Sequence, residues 1–128
     1  MNKSIVIIGI VLLVIAIVLG AFGAHALKEH LTLEKLNTFE VGVRYQVYHG
    51  LAFLILGMNA DRVQFSLKLP IRLIFAGLLM FSGSIYFLAI QEMLGVSLKF
   101  LGPITPLGGL LMIMGWILFL VKIMRSKA

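Results

Sequence analysis

The chain has 128 residues, 61% of them hydrophobic and 12% charged, with a mean hydropathy of +1.10, which leaves too little polar surface to clothe a water-soluble globule of this size. With no cysteine it can form no disulfide, thiolate metal site or cysteine nucleophile. Its net charge of +6 comes without the aromatic-interleaved basic face of a nucleic-acid binder, so nucleic acid is excluded as a partner and membrane lipid takes its place.

Four apolar stretches, 4–23, 42–58, 69–91 and 104–121, each approach the ~20 residues a helix needs to cross about 30 Å of hydrocarbon. They predict an all-α fold: a four-helix transmembrane bundle forming one integral membrane domain over 1–128, with an amphipathic interfacial segment between helices 1 and 2. In the first stretch Ala16, Gly20 and Ala24 recur every fourth residue, a stripe narrow enough for another helix to approach, inside the bundle or from a second subunit. Ala24-His25-Ala26 has the small-x-small form of a signal-peptidase site. The apolar run from Ile5 through Phe22 is long for a signal h-region, however, and fits a retained span.

Between 26 and 40, Leu27, Leu31, Leu36 and Phe39 alternate with Lys28, Glu29, His30, Glu34, Lys35 and Asn37. This is the pattern of a helix lying in the headgroup layer, or of a surface helix leading into the bundle, with Thr32 as its cap. His25, Glu29 and His30 raise a metal reading. Glu29 and His30 are neighbours whose side chains leave a helix in different directions, so the two cannot both converge with His25, and all three are read as solvated interfacial groups, with no metal and no cofactor.

The second stretch opens with its polar residues. Arg44, Tyr45, Gln46, Tyr48 and His49 are read as one broad helical face, with Glu40, Arg44 and Tyr48 in one row and Tyr45 and His49 in the next. A charge facing lipid near the bilayer centre costs at least ~2.5 kcal/mol, so that face is expected to turn inward, either as a hydrogen-bonded clasp between helices or as a functional polar site. After a short link, Pro70 suits the first turn of helix 3, and Gly83 with Gly77, Ser82 and Ser84 gives that helix a second narrow face. At the start of helix 4, Gly102 and Pro103 precede Thr105 as a candidate cap and Pro106 at the first helical position. Trp116 is read as filling a packing gap.

An even number of crossings puts both termini and the middle link on one side, with Lys3, Arg62, Lys68, Arg72, Lys122, Arg125 and Lys127 against Lys28, Lys35, Arg44 and Lys99 on the other. By the positive-inside rule both termini face the cytoplasm.

Gly20-Ala21-Phe22-Gly23-Ala24-His25-Ala26-Leu27, Gly42-Val43-Arg44-Tyr45-Gln46-Val47-Tyr48-His49, Gly83-Ser84-Ile85-Tyr86 and Gly102-Pro103-Ile104-Thr105-Pro106-Leu107-Gly108-Gly109 together resemble the YwdK-like family of small membrane proteins. The resemblance implies a four-helix protein of the bacterial cytoplasmic (inner) membrane, with mitochondrial relatives and an unassigned biochemical activity, and it carries over no catalytic residue. Phe39 and Glu40 depart from the family's more usual Trp and small polar residue, which bears only on how helix 2 begins.

These observations favour a non-enzymatic membrane protein that self-associates as a homo-oligomer, or supports membrane integrity or an unknown protein partner. The alternative is a small channel or transporter with a polar path around Arg44 and His49. Enzymatic work on lipid or quinone needs acid and base groups paired at close range, and the sequence offers none.

Overall fold

The computed structural model describes residues 1–126 and is helical throughout, with no strand among those residues. Four helices, α1 (Lys3–Ala24), α2 (Leu33–Met58), α3 (Lys68–Ile90) and α4 (Ile104–Arg125), are joined through single 3-10 turns at Leu27–Glu29, Ala60–Arg62 and Lys99–Leu101. Packing follows chain order, α1 on α2, α2 on α3 and α3 on α4. The segments Lys3–Glu29, Lys68–Ile90 and Lys99–Arg125 are long and apolar enough to cross a membrane.

Helix α2 absorbs what the sequence divides in two. The amphipathic segment does not lie apart from the second span: α2 runs unbroken from Leu33 to Met58, 26 residues or about 39 Å. Thr32 caps it in extended backbone, its hydroxyl accepting from the Lys35 amide at 3.3 Å. Nothing breaks the helix afterwards, because Phe39, Gly42, Gln46, His49 and Phe53 keep one buried seam through the boundary, spaced alternately by three and four residues. The uninterrupted apolar run of α2, from Gly50 to Met58, rises only about 14 Å, so its other half needs neighbours to shelter it.

Glycines set how closely the helices approach. A Cβ on Gly9 would lie 2.7 Å from the Leu54 nitrogen and 2.8 Å from the Gly50 oxygen, and one on Gly57 would meet Val6 at 2.7 Å, which brings α1 against the backbone of α2. On the other side of the bundle, a Cβ on either Gly77 or Gly108 would stand 2.6 Å from the other's carbonyl oxygen, locking α3 to α4. The anticipated stripe Ala16, Gly20 and Ala24 is not a packing seam inside the bundle. Ala16 is buried, Gly20 has only Val43 within reach, and Ala24 is exposed. A strict four-residue step turns ~400° and drifts off the contact face, whereas the buried set Ile5, Gly9, Leu12, Ala16 and Gly23 keeps to it. Gly83 likewise packs against nothing, since a Cβ there would have no atom within 4 Å.

At one end of the bundle the Asn2 amide donates to the Gly57 carbonyl at 2.8 Å, the amino terminus pairs with Asp61, and the Lys122 ammonium lies 5.8 Å from the centre of the Phe65 ring. The start of α1, the link 59–67 and the end of α4 therefore share one side, while Lys127, counted there by sequence, lies outside the described residues. At the opposite end Lys35 pairs with Glu92 at 2.6 Å, and the Gln91 side chain accepts from the Leu98 amide at 2.8 Å. The turn between them needs Gly95, whose φ of 65° suits glycine. Helix α4 begins at Ile104, where the fourth apolar stretch begins, and not after a Thr105 cap. Pro103, with φ of −66°, starts the turn without a side-chain cap, which leaves Pro106 within the first turn and frees the Thr105 hydroxyl for another partner.

Candidate functional site

The polar residues of α2 divide between two faces. Gln46 and His49 are buried on the seam, Arg44 and Tyr48 are exposed on the outer side, and Tyr45, partly exposed, lies between them against Phe81 and His49, so the five do not form the single inward face read from their rows. Helical rotation explains the split: from Arg44 to Gln46 is about 200°, which puts them on opposite sides of the cylinder. Arg44 reaches Glu40 at 3.8 Å along the outer surface.

Gln46 ties three helices together. Its Nε2 donates to the Leu12 carbonyl of α1 at 2.8 Å, and its Oε1 accepts from the Tyr86 hydroxyl of α3 at 2.7 Å. The amide orientation follows from the partners, because a carbonyl only accepts. One turn earlier, the Ser82 hydroxyl donates to the Gly42 carbonyl at 2.8 Å, at a point where α3 comes so close that a Cβ on Gly42 would stand 2.8 Å from the Tyr86 ring.

His49 makes the tie to α4. Its Nδ1 lies 2.7 Å from the Tyr45 carbonyl, and the Trp116 indole N–H donates to its Nε2 at 3.1 Å. A carbonyl accepts and an indole N–H donates, so the ring is held with its proton on Nδ1. Ser84 of α3 bonds back to the Phe81 carbonyl at 3.0 Å and shares a hydrogen bond with Thr105 of α4. Every helix is thereby joined to a neighbour through buried polar groups, and among the described residues no buried side-chain nitrogen or oxygen is left without a partner. In chemical terms the arrangement is a closed clasp: each donor already has its acceptor.

Beside it, Tyr45, His49, Phe81, Met112, Ile113 and Trp116 line an open cavity of about 360 Å³ between α2, α3 and α4. Tyr45 stacks on His49 with ring centres 6.4 Å apart and meets Phe81 at 4.9 Å, so much of the wall is aromatic. His25, Glu29 and His30 are all exposed, and among the described residues no group of three His, Cys, Asp or Glu side chains is placed to hold a metal ion. Gly102 and Pro103 are exposed and Pro106 lies on the outer side of α4's first turn.

Residue-by-residue reading overlooks Ser82, Ser84 and Tyr86 as partners and gives Trp116 a packing role alone. The available signal is indirect: a Gln and a His on a buried seam require polar side chains on the facing helices, and Ser82 and Tyr86 stand one turn apart on α3.

The profile of the family described as "Protein of unknown function (DUF423)" matches residues 19–109. The chain belongs to the DUF423 family. The matched DUF423 segment holds every side chain of the clasp except Trp116. Relatives match over nearly their whole length: UPF0382 membrane protein SAB0533 of Staphylococcus aureus (strain bovine RF122 / ET3-1) is 40% identical over 93% of this chain and 93% of its own. UPF0382 membrane protein YwdK of Bacillus subtilis (strain 168) is 35% identical over 96% of this chain and 98% of its own. The resemblance to YwdK-like proteins read from the four motifs is thus borne out, and this DUF423 chain is a membrane protein. No solved structure matches it.

Proposed function

We propose that the chain is a non-enzymatic protein of the bacterial cytoplasmic membrane that works by association, pairing with a second copy and so supporting membrane integrity or a partner complex. One observation carries this reading. Among the described residues every buried polar side chain already has a partner within the chain, while Arg44 and Tyr48 stay exposed on the outer side of α2. Arg44 and Glu40 line a depression with Gly20 and Gly23 of α1. Gly20 stands about 6 Å inside the end of that helix, so the depression reaches toward the depth where a lipid-facing charge becomes costly and cover by another polypeptide is favourable. Transport has less support, because Arg44 and Tyr48, which sequence offers as path-lining groups, are on the outer surface and His49 is bonded at both nitrogens.

Because the chain has no cysteine, a single introduced one reports on contacts. Tyr48→Cys in native membranes is expected to give a disulfide-linked dimer on oxidation, whereas Ile117→Cys, on the exposed side of α4, is expected to stay monomeric. Equal behaviour of the two variants, both monomeric and without a recovered partner, removes the basis for the reading.

A further inference from the structure

Where the start of α1, the link 59–67 and the first turns of α3 meet, a cavity of about 500 Å³ opens at the end of the bundle that carries both termini. Its floor is apolar, with Ile5, Phe65 and Ile71, and its rim carries Lys68 and Arg72. Those two cations are four residues apart on α3, a spacing at which like charges repel. Neither has a carboxylate partner among the described residues, and no acidic side chain lines the cavity. Asp61, the one acidic residue of this end, is committed to the amino terminus.

Next to the cavity, a second, wholly apolar groove of about 190 Å³ lies along the crevice between α1 and α3, past Val11 and Ile15 on one side and Phe75 and Leu79 on the other. Ile8 lines both. From Ser4 to Ile15 the combined groove rises about 16 Å, near half of the ~30 Å hydrocarbon thickness and so the depth of one leaflet. The crevice exists because α1 and α3 both pack on α2 rather than closely on each other.

We propose that this groove binds one anionic phospholipid of the leaflet on the side of the termini, its phosphate between Lys68 and Arg72 and one acyl chain laid along the α1–α3 crevice. Charge selects the headgroup, since two unpaired cations without a nearby acid discriminate against a zwitterionic lipid. The apolar extension selects a lipid over a free anion. Nothing in this assignment depends on whether the chain self-associates.

The test uses full-length protein in nanodiscs made from equal parts phosphatidylglycerol and phosphatidylethanolamine, with retained lipid counted by native mass spectrometry after transfer to detergent. Wild type is expected to keep phosphatidylglycerol in preference to phosphatidylethanolamine, and Lys68→Gln/Arg72→Gln to lose that retention by about tenfold. Lys99→Gln, at the opposite end, is expected to match wild type. Equal retention by the double variant and wild type, or no preference between the lipids in wild type, overturns the proposal. Should the double variant fail to fold, thermal unfolding of wild type decides: added phosphatidylglycerol is expected to raise the midpoint where inorganic phosphate and phosphatidylethanolamine do not. A rise of the same size with inorganic phosphate, or none with phosphatidylglycerol, counts against the groove.

Discussion

Gln46 occupies a seam position that a leucine would fill without polar cost, and what keeps a glutamine tolerable there is the pair of bonds to Leu12 and Tyr86. Interhelical hydrogen bonds in membranes average about 0.6 kcal/mol and reach about 1.7, because the unfolded chain in lipid also finds partners. Tyr86→Phe strands the Gln46 oxygen, so it is expected to lower unfolding free energy in mixed micelles by about 1 kcal/mol. In a Gln46→Leu background the same substitution is expected to cost almost nothing beyond its packing. Unfolding titrations of the four proteins in the cycle measure this directly, and strict additivity of the two single changes shows that the bond carries no net stability. His49 poses the same question on the other side of α2: because both ring nitrogens are engaged, a proton reaches Nε2 only if Trp116 gives up its bond.

At the level of elements, stability rests on how closely two pairs of helices approach, and glycine positions decide that more than the stripes visible by eye. Gly108→Ala would place a methyl 2.4 Å from the Phe81 nitrogen, so α3 and α4 must move apart, at an expected cost of about 1–3 kcal/mol. Gly83→Ala meets no atom and is expected to be neutral or to stabilise by up to ~1 kcal/mol through helix propensity. Side-by-side denaturant midpoints of the two variants check the contrast, and a Gly83 variant as damaged as the Gly108 one would mean that Gly83 faces a contact outside this chain. The number of helices and the first-turn placement of Pro70 were legible in the sequence because length and proline chemistry are local properties. Which glycines pack was not. Ala16, Gly20 and Ala24 make a tidy row on paper, but contact follows a 3.5-residue seam whose phase is set by the partner helix. The clasp was half legible for the same reason: Gln46 and His49 reveal themselves by being polar in an apolar setting, while Ser82 and Trp116 become partners only once α3 and α4 are placed.

For the molecule as a whole, the arrangement of charge makes the two ends of the bundle unlike. Of the described residues at the end that holds both termini, Lys3, Arg62, Lys68, Arg72, Lys122 and Arg125 stand against Asp61 alone, while at the other end Glu29, Glu34, Glu40 and Glu92 offset Lys28, Lys35, Arg44 and Lys99. Counted over short links next to spanning helices, such an excess supports the proposal that this end faces the cytoplasm. The amphipathic start of α2 adds to this polarity, since Lys35 and Glu92 tie it into the end opposite the termini. Single-cysteine labelling in bacterial cells expressing the protein tests the orientation, with no native thiol to interfere. Ser97→Cys, exposed in the link between α3 and α4, is expected to react with a membrane-impermeant maleimide in intact cells. Ser66→Cys and Ser126→Cys are expected to react only after permeabilisation. The reverse pattern would invert the bundle and turn the Lys68 and Arg72 groove toward the outer leaflet, and labelling of Ser66→Cys and Ser126→Cys from different sides would break the even number of crossings on which the fold's orientation depends.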